Sequence, residues 1–290
     1  MTATTSGDLY APEVWEDAAQ AEFIGKSIVA TTSAVLQDDT LAGQPGETVE
    51  FPKWMALGEL DDLSEGTAMT PEKLSQRSSK ATIKEAGKAV EITDTAKLVG
   101  IGNAQDEAIR QFGVLAARKV DADLIAAAQA TVTGGITYAD GTTATDSAPL
   151  TWDSTSGAVF GWDAYVDATA EFGDDLEPEE FGGIFINAKQ RGQLFKDDDF
   201  VRADGSAGND VIRRGLIGTL GGVPVFVTNR VAADKFLVLK NNSLGVMWKR
   251  RPLVEQDRDI LARTTLVTTN LHYAVKRLAD NGVLVGTLTA

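Results

Sequence analysis

Gly43-Gln-Pro-Gly-Glu-Thr-Val-Glu-Phe-Pro-Lys-Trp-Met55 opens on a turn signal and continues as a strand in which Val49, Phe51 and Met55 alternate with Glu50, Pro52 and Trp54. Pro52 has no N–H to give to a ladder, so the stretch reads as an edge strand. An acidic segment follows, Gly58 to Gly66, with Glu59, Asp61, Asp62 and Glu65. The chain then returns through Lys80 to Thr93, where Lys80, Lys84 and Lys88 fall on one face by period-two geometry. Together, residues 41–94 describe a long two-stranded hairpin. A lone hairpin is marginal in water, and this one carries few large apolar residues, so it is expected to lie on another surface, partly that of neighbouring subunits.

On the C-terminal side comes the strongest helical pattern, Asn103 to Thr131. Asn103 is a candidate cap with Asp106 three residues on, and Ile109, Phe112, Ala116, Val120, Leu124 and Ala127 recur at helical spacing until Gly134-Gly135. At 1.5 Å per residue it would span about 43 Å, a length that suits a spine laid across a sheet. Tyr138 to Asp153 reads as a flexible connection, and Val159, Trp162 and Val166 suggest an amphipathic helix. Gly183-Ile-Phe-Ile-Asn187 reads as a buried strand entering a helix, and Phe200 to Arg214 as loop. The C-terminal quarter reads as β, with strands at 236–239, 244–248, 264–277 and 283–288. On the N-terminal side, residues 1–40 read as an arm with a short helical pattern after Pro12. The fold class is therefore α+β.

The charge balance narrows the function. Lys plus Arg number 27 against 42 Asp plus Glu, a net charge of -15, which opposes general attraction to nucleic-acid phosphates or anionic membranes. The chain has no cysteine, which removes disulfides, thiol nucleophiles and Cys-ligated metals. Its start lacks a basic segment followed by an apolar run, and no stretch approaches the roughly 18 apolar residues of a membrane span.

Motifs that would signal catalysis are weak. Gly25-Lys26-Ser27 resembles the end of a phosphate-binding loop, but Gln20 stands where that motif needs glycine. Gly100-Ile-Gly102 opens a helix, with Gln105 in the third glycine's place. The sole histidine, His272, lies in an alternating strand, pointing with Asn270 and Lys276 away from the apolar Val267, Leu271, Tyr273 and Val275, and no G-x-S-x-G accompanies it. Asp197-Asp-Asp199 lacks the alternation of a calcium loop. Lys249-Arg-Arg251, expected between strands, is the one basic cluster. No catalytic residue, cofactor or metal is expected, and the protein is not expected to be an enzyme.

The order of parts and several local stretches resemble the major capsid protein fold of tailed bacteriophages, shared with encapsulin nanocompartments. Gly46-Glu-Thr-Val-Glu-Phe-Pro52 is similar to the start of that family's extended loop, and Ala86-Gly-Lys-Ala-Val-Glu-Ile-Thr-Asp94 to its end. Asp121-Ala-Asp123 resembles the acidic pair late in the spine helix. Gly183-Ile-Phe-Ile-Asn-Ala188 and Leu220-Gly-Gly-Val-Pro-Val225 resemble parts of the axial domain, and Val254-Glu-Gln-Asp-Arg-Asp259 with Asn281-Gly-Val-Leu-Val-Gly286 the peripheral-domain finish.

The resemblance implies an N-terminal arm (1–40), an extended β-hairpin loop (41–94), a peripheral domain with a long spine helix (95–150), an axial domain (151–234) and closing peripheral strands (235–290). It implies self-assembly into hexamers and pentamers of an icosahedral head around double-stranded DNA, with an encapsulin-like compartment as the alternative. Implied partners are further copies, packaged DNA bound without sequence specificity, separate scaffolding and portal proteins, and decoration proteins. The implied location is the virion capsid, assembled in the bacterial cytoplasm. The expected contact residues between subunits are Asp61, Asp62 and Glu65 of the acidic tip with Arg77, Lys80, Lys84, Lys249 and Arg250. Some members crosslink a loop lysine to an asparagine just after the Asp-Arg-Asp segment. Thr264 stands there and has no side-chain amide.

Overall fold

A computed structural model describes residues 26–43, 45–54, 62, 68–69, 71, 74, 76–99, 103–138, 143–154, 159–196 and 216–289. The short helix expected after Pro12 and the loop 200–214 lie outside them. In chain order, β1 (Val35–Asp38) is followed by β2 (Thr48–Trp54), β3 (Gln76–Thr82) and β4 (Lys84–Thr93). Two helices come next, α1 (Asp94–Val99) and α2 (Ala104–Gln129), then β5 (Val132–Tyr138), β6 (Thr143–Ser147) and β7 (Leu150–Asp153). The α/β lobe holds α3 (Trp162–Thr169), β8 (Phe181–Ile186), α4 (Ala188–Leu194), β9 (Leu216–Leu220) and β10 (Val223–Val227). The chain closes with β11 (Lys235–Lys240), β12 (Leu244–Asp259), β13 (Thr264–Arg277) and β14 (Val283–Thr287).

The strands form three sheets, ordered β1-β12-β13-β4, β7-β14-β11-β8-β10-β9 and β2-β3-β5-β6. The six-stranded sheet is buried on both faces, which explains its continuous apolar runs. Along β8 and β11, Ile184, Ile186, Phe236 and Val238 face one cluster with α3 and α4, whereas Phe185, Leu237 and Leu239 face the other, with α2. That second cluster also takes in Trp248, Leu271 and Tyr273 of the peripheral sheet and Val29, Ala30, Ala34 and Val35 of the arm. One core therefore joins arm, spine helix and two sheets. Because β11 and β14 pair into the six-stranded sheet, a boundary at residue 234/235 runs through one hydrogen-bonded layer.

The spine helix α2 begins as the sequence predicts: Asn103 Oδ1 accepts from Gln105 N at 3.1 Å, and Asn103 Nδ2 donates to Asp106 Oδ2 at 2.6 Å. Its end differs. The helix stops at Gln129, not at Gly134-Gly135, which lie inside β5. The buried Arg277 guanidinium donates to Ala128 O at 2.9 Å and Ala130 O at 2.7 Å, satisfying carbonyls that the helix leaves open.

Five other expectations change. The described residues of 138–153 are not a flexible connection but hold the end of β5 and the strands β6 and β7. The return of the hairpin is not one strand: it breaks at Ile83 into β3 and β4, which enter different sheets. The hairpin is also not lone, since β3 pairs with β5 through Arg77↔Tyr138, Ser78↔Thr137 and Ser79↔Ile136. Lys249, Arg250 and Arg251 do not separate two strands but lie within β12, next to register shifts at 248/250 and 250/253. Finally, α3 exists, but Ala164, Tyr165 and Ala168 form its buried face while Val159, Trp162 and Val166 are exposed.

Candidate assembly surfaces

The hairpin expectation has its clearest structural counterpart in the β2-β3-β5-β6 ribbon. Its outermost strand, β2, carries Pro52 opposite Ser78, as the missing N–H requires. The base of the ribbon is held on its own body. Val49 and Ala81 pack on Ala274 of β13 with Leu41, Ile83 and Met247 around them, and Lys276 Nζ donates to Lys80 O at 3.4 Å. Among the described residues this is the one core cluster that reaches the ribbon.

Of the expected contact residues, Asp61 and Glu65 lie outside the described residues, and Asp62 is exposed. Arg77 sits on β3 opposite Lys53 of β2 and Tyr138 of β5. Lys80 is exposed, as is Lys84, whose Nζ is 3.8 Å from Asp123 Oδ2. Lys249 and Arg250 come together with Gly43, Pro45 and His272 around a cleft of about 530 Å³. Lys249 Nζ donates to Gly46 O. Arg251 is committed elsewhere, 2.7 Å from Asp39 Oδ2 and over the Trp248 ring. The three basic residues thus divide, two toward the cleft and one onto β1's neighbourhood.

His272 is half-buried. Its Nε2 is 3.7 Å from Glu85 Oε1, and its Nδ1 is buried without a hydrogen-bond partner among the described residues. Thr264, at the position where some relatives are expected to crosslink, is buried and pairs with Thr93 and Asp259.

The arm attaches through a contact that the sequence expectations do not include. Asp121, on the buried face of α2, accepts hydrogen bonds from Ser27 Oγ (2.8 Å) and from the backbone N–H groups of Ile28 (2.8 Å), Val29 (3.2 Å) and Ala30 (3.1 Å). One carboxylate therefore satisfies four donors of a turn that no regular ladder serves. Burial pushes the Asp121 carboxyl above its ordinary value in spite of those bonds. Gly182 of β8 lets the arm pass, because a Cβ there would meet Ala34 N at 2.7 Å. The signal was present: an aspartate at 121 on the stripe of Ala117, Val120, Leu124 and Ala128 is an acid on an apolar face, which demands donors. Ser27, part of the Gly-Lys-Ser triplet, is one of them.

Two residues on, Asp123 behaves oppositely. Burial pushes its carboxyl up, but the Tyr273 hydroxyl (2.7 Å), Lys119 (2.9 Å) and Lys84 outweigh this and hold it below the ordinary value. The Asp-Ala-Asp pair thus ties the spine helix to the arm on one side and to β13 on the other.

Comparison with known proteins agrees along the whole chain. The family described as phage capsid protein matches residues 76–284. The major capsid protein of Staphylococcus phage phiMR11 is 31% identical over 276 residues, covering 93% of this chain and 90% of that protein. Among solved structures, the capsid asymmetric unit of cyanophage Pam1 superposes with a TM-score of 0.66 at 17% identity, over 100% of this chain and 96% of that one. The capsid of Ralstonia phage GP4 gives 0.66 at 12% identity, over 92% and 91%. A virus-like particle from Pyrococcus furiosus gives 0.58 at 12% identity, over 94% and 97%. These structures share the fold.

Proposed function

This chain belongs to the phage capsid protein family, and we infer from that premise that it is the major capsid protein of a tailed bacteriophage, building the head by associating with copies of itself. The observation that carries the reading is the 31% identity to a phage major capsid protein over nearly the full length of both chains. A physical reason for self-association is offered by the ribbon sheet, which among the described residues is joined to the peripheral sheet by one small cluster around Val49, Ala81 and Ala274.

In the assembly we propose, subunits gather as hexamers and pentamers around the α/β lobe, and each ribbon lies over a neighbour's peripheral sheet. The acidic tip, Asp61, Asp62 and Glu65, meets the cleft of Lys249 and Arg250 on another copy, with Arg77, Lys80 and Lys84 along the ribbon's path. Charge complementarity of this kind fixes register and partner choice more than it adds affinity. The net charge of -15 suits a container for DNA, which must enter and later leave a shell that does not hold it tightly. Scaffolding and portal functions fall to separate proteins, assembly takes place in the host cytoplasm, and the chain catalyses no reaction.

A compartment for protein cargo uses the same fold, as the likeness to the Pyrococcus furiosus particle allows. The sequence match to a phage protein favours the head. Size-exclusion chromatography with negative-stain imaging of the purified chain tests the reading: closed shells or capsomers are expected, and a compact particle of 30.8 kDa under every condition would end it.

A further inference from the structure

A register shift in β12 builds a site that a regular strand could not. In an unbroken strand, successive side chains point to opposite faces. Trp248 pairs with Tyr273 and Arg250 with His272, so Lys249 is an extra residue between two consecutive pairs. Lys249 and Arg250, neighbours in sequence, therefore line the same cleft of about 530 Å³, together with Gly43, Pro45 and His272. Glu85 pairs with His272 from the other side, so Arg250, His272 and Glu85 form one row across β12, β13 and β4.

The row leaves positive charge and hydrogen-bonding capacity unused. Arg250 is exposed and has no hydrogen bond or ion pair among the described residues. Lys249 Nζ gives one of its donors to Gly46 O and keeps the others. Among the described residues that line the cleft none is acidic, although the chain as a whole has net charge -15. The carboxylate of Glu85 lies 3.7 Å from His272 Nε2, and the other ring nitrogen, Nδ1, is buried without a partner among the described residues. A guanidinium and an ammonium on one concave wall suit a carboxylate, which the guanidinium can hold through two parallel hydrogen bonds.

His272 makes such a site sensitive to pH. Histidine is the side chain whose charge ordinarily changes between about pH 5 and 8. The charged groups facing the ring are Lys249 and Arg250 from β12 and Glu85 from β4. Gly43 and Pro45 carry no charge, and on β13 itself Asn270 and Lys276 share its side. Protonation of the ring turns a cleft with two cations into one with three. Aspartate and glutamate side chains in water stay ionised throughout that range, so acid changes the site and not its ligand.

We propose that this cleft is a carboxylate site in which His272 supplies the third cation, so that it binds more tightly in mild acid than at neutral pH and above. The proposal deepens the assembly reading above and rests on it, since in the shell the carboxylate comes from the acidic segment of another copy. Calorimetric titration of the dissociated full-length subunit tests it with two probes, tartrate and a peptide of residues 57–67, which carries Glu59, Asp61, Asp62 and Glu65. Wild type is expected to bind both about threefold more tightly at about pH 6 than at about pH 8, the size of effect that one added charge has at a solvated site. His272→Gln is expected to melt as wild type does and to bind equally at the two pH values. Asp121, whose carboxyl burial pushes up, is common to both proteins and cancels in that comparison. Because His272 is the sole histidine, its imidazole resonances in wild type report on the site without any variant, and they are expected to move when either probe is added. Equal wild-type affinities at the two pH values, H272Q that keeps the wild-type ratio, imidazole resonances that stay in place, or no binding of either probe would overturn the proposal. Tartrate that binds with the expected pH ratio while the peptide does not would support the carboxylate site and remove the tip-to-cleft contact from the assembly reading.

Discussion

The six-stranded sheet and the ribbon sheet are built from similar numbers of strands by opposite means. In the first, successive residues of β8, β11 and β14 alternate between two clusters, and the Phe160 and Trp152 rings pack at tilted angles on Phe236. Even Gly286 is there for packing, since a Cβ would meet the Phe236 ring at 2.2 Å. In the second, Val49 and Ala81 at the base join only Ala274, Leu41, Ile83 and Met247 in the cluster that reaches the body. On the proposed assembly, the difference divides the subunit into a part that folds by burying itself and a part that neighbours bury.

Mutations should separate the two parts by the size of their effect on the isolated subunit. Phe236→Ala removes a fully buried ring and is expected to cost about 3–5 kcal/mol in urea unfolding. Asp121→Ala leaves the four arm donors without an acceptor and is expected to cost about 3 kcal/mol, with residues 26–34 becoming open to protease while β8 and β11 stay protected. Val49→Ala, at the ribbon's base, is expected to cost about 1–2 kcal/mol. Replacing Asp61 and Asp62 with Lys is expected to change subunit stability by less than about 0.5 kcal/mol. The same pair should nevertheless lower shell yield, measured by sedimentation, and an unchanged yield would remove the tip-to-cleft contact from the account.

The pH dependence offers a finer division within the spine helix. Asp123 is held below its ordinary value, so its ionised form contributes stability that is present above the ordinary carboxylate value and fades as pH falls through the lowered one. Asp121 is pushed up, so its ionisation detracts from stability as pH rises from the ordinary value through the raised one. Unfolding measured from acid to neutral pH should therefore show Asp123→Asn losing ground to wild type as pH rises, and Asp121→Asn recovering some.

What the sequence reveals follows the same division. The spine helix start at Asn103, the edge strand at Pro52 and the buried run of β8 are legible because each depends on local chemistry: a cap, a missing N–H, a strand covered on both faces. The strands of 132–153 are not, because Gly, Ala and Asp interrupt their Thr-rich runs with weak β preference and the strands form on partners distant in sequence, β5 on β3 and β7 on β14. The buried face of α3 is not legible, because Trp162 and Val166 suggest a core while Ala164, Tyr165 and Ala168 supply it. For the candidate surfaces, Lys249 and Arg250 were legible as a basic cluster but not as part of one continuous strand. The role of Asp121 depends on which side of α2 faces inward, which only the tertiary packing fixes.

Hydrogen exchange on assembled shells and on dissociated subunits, followed residue by residue, tests the central claim most directly. Amides of β2, β3, β5 and β6 are predicted to exchange quickly in the subunit and slowly in the shell, while those of β8, β11 and β14 stay protected in both. Equal protection of the ribbon in the two states would contradict the account, because it would show that the ribbon needs no neighbour to hold it.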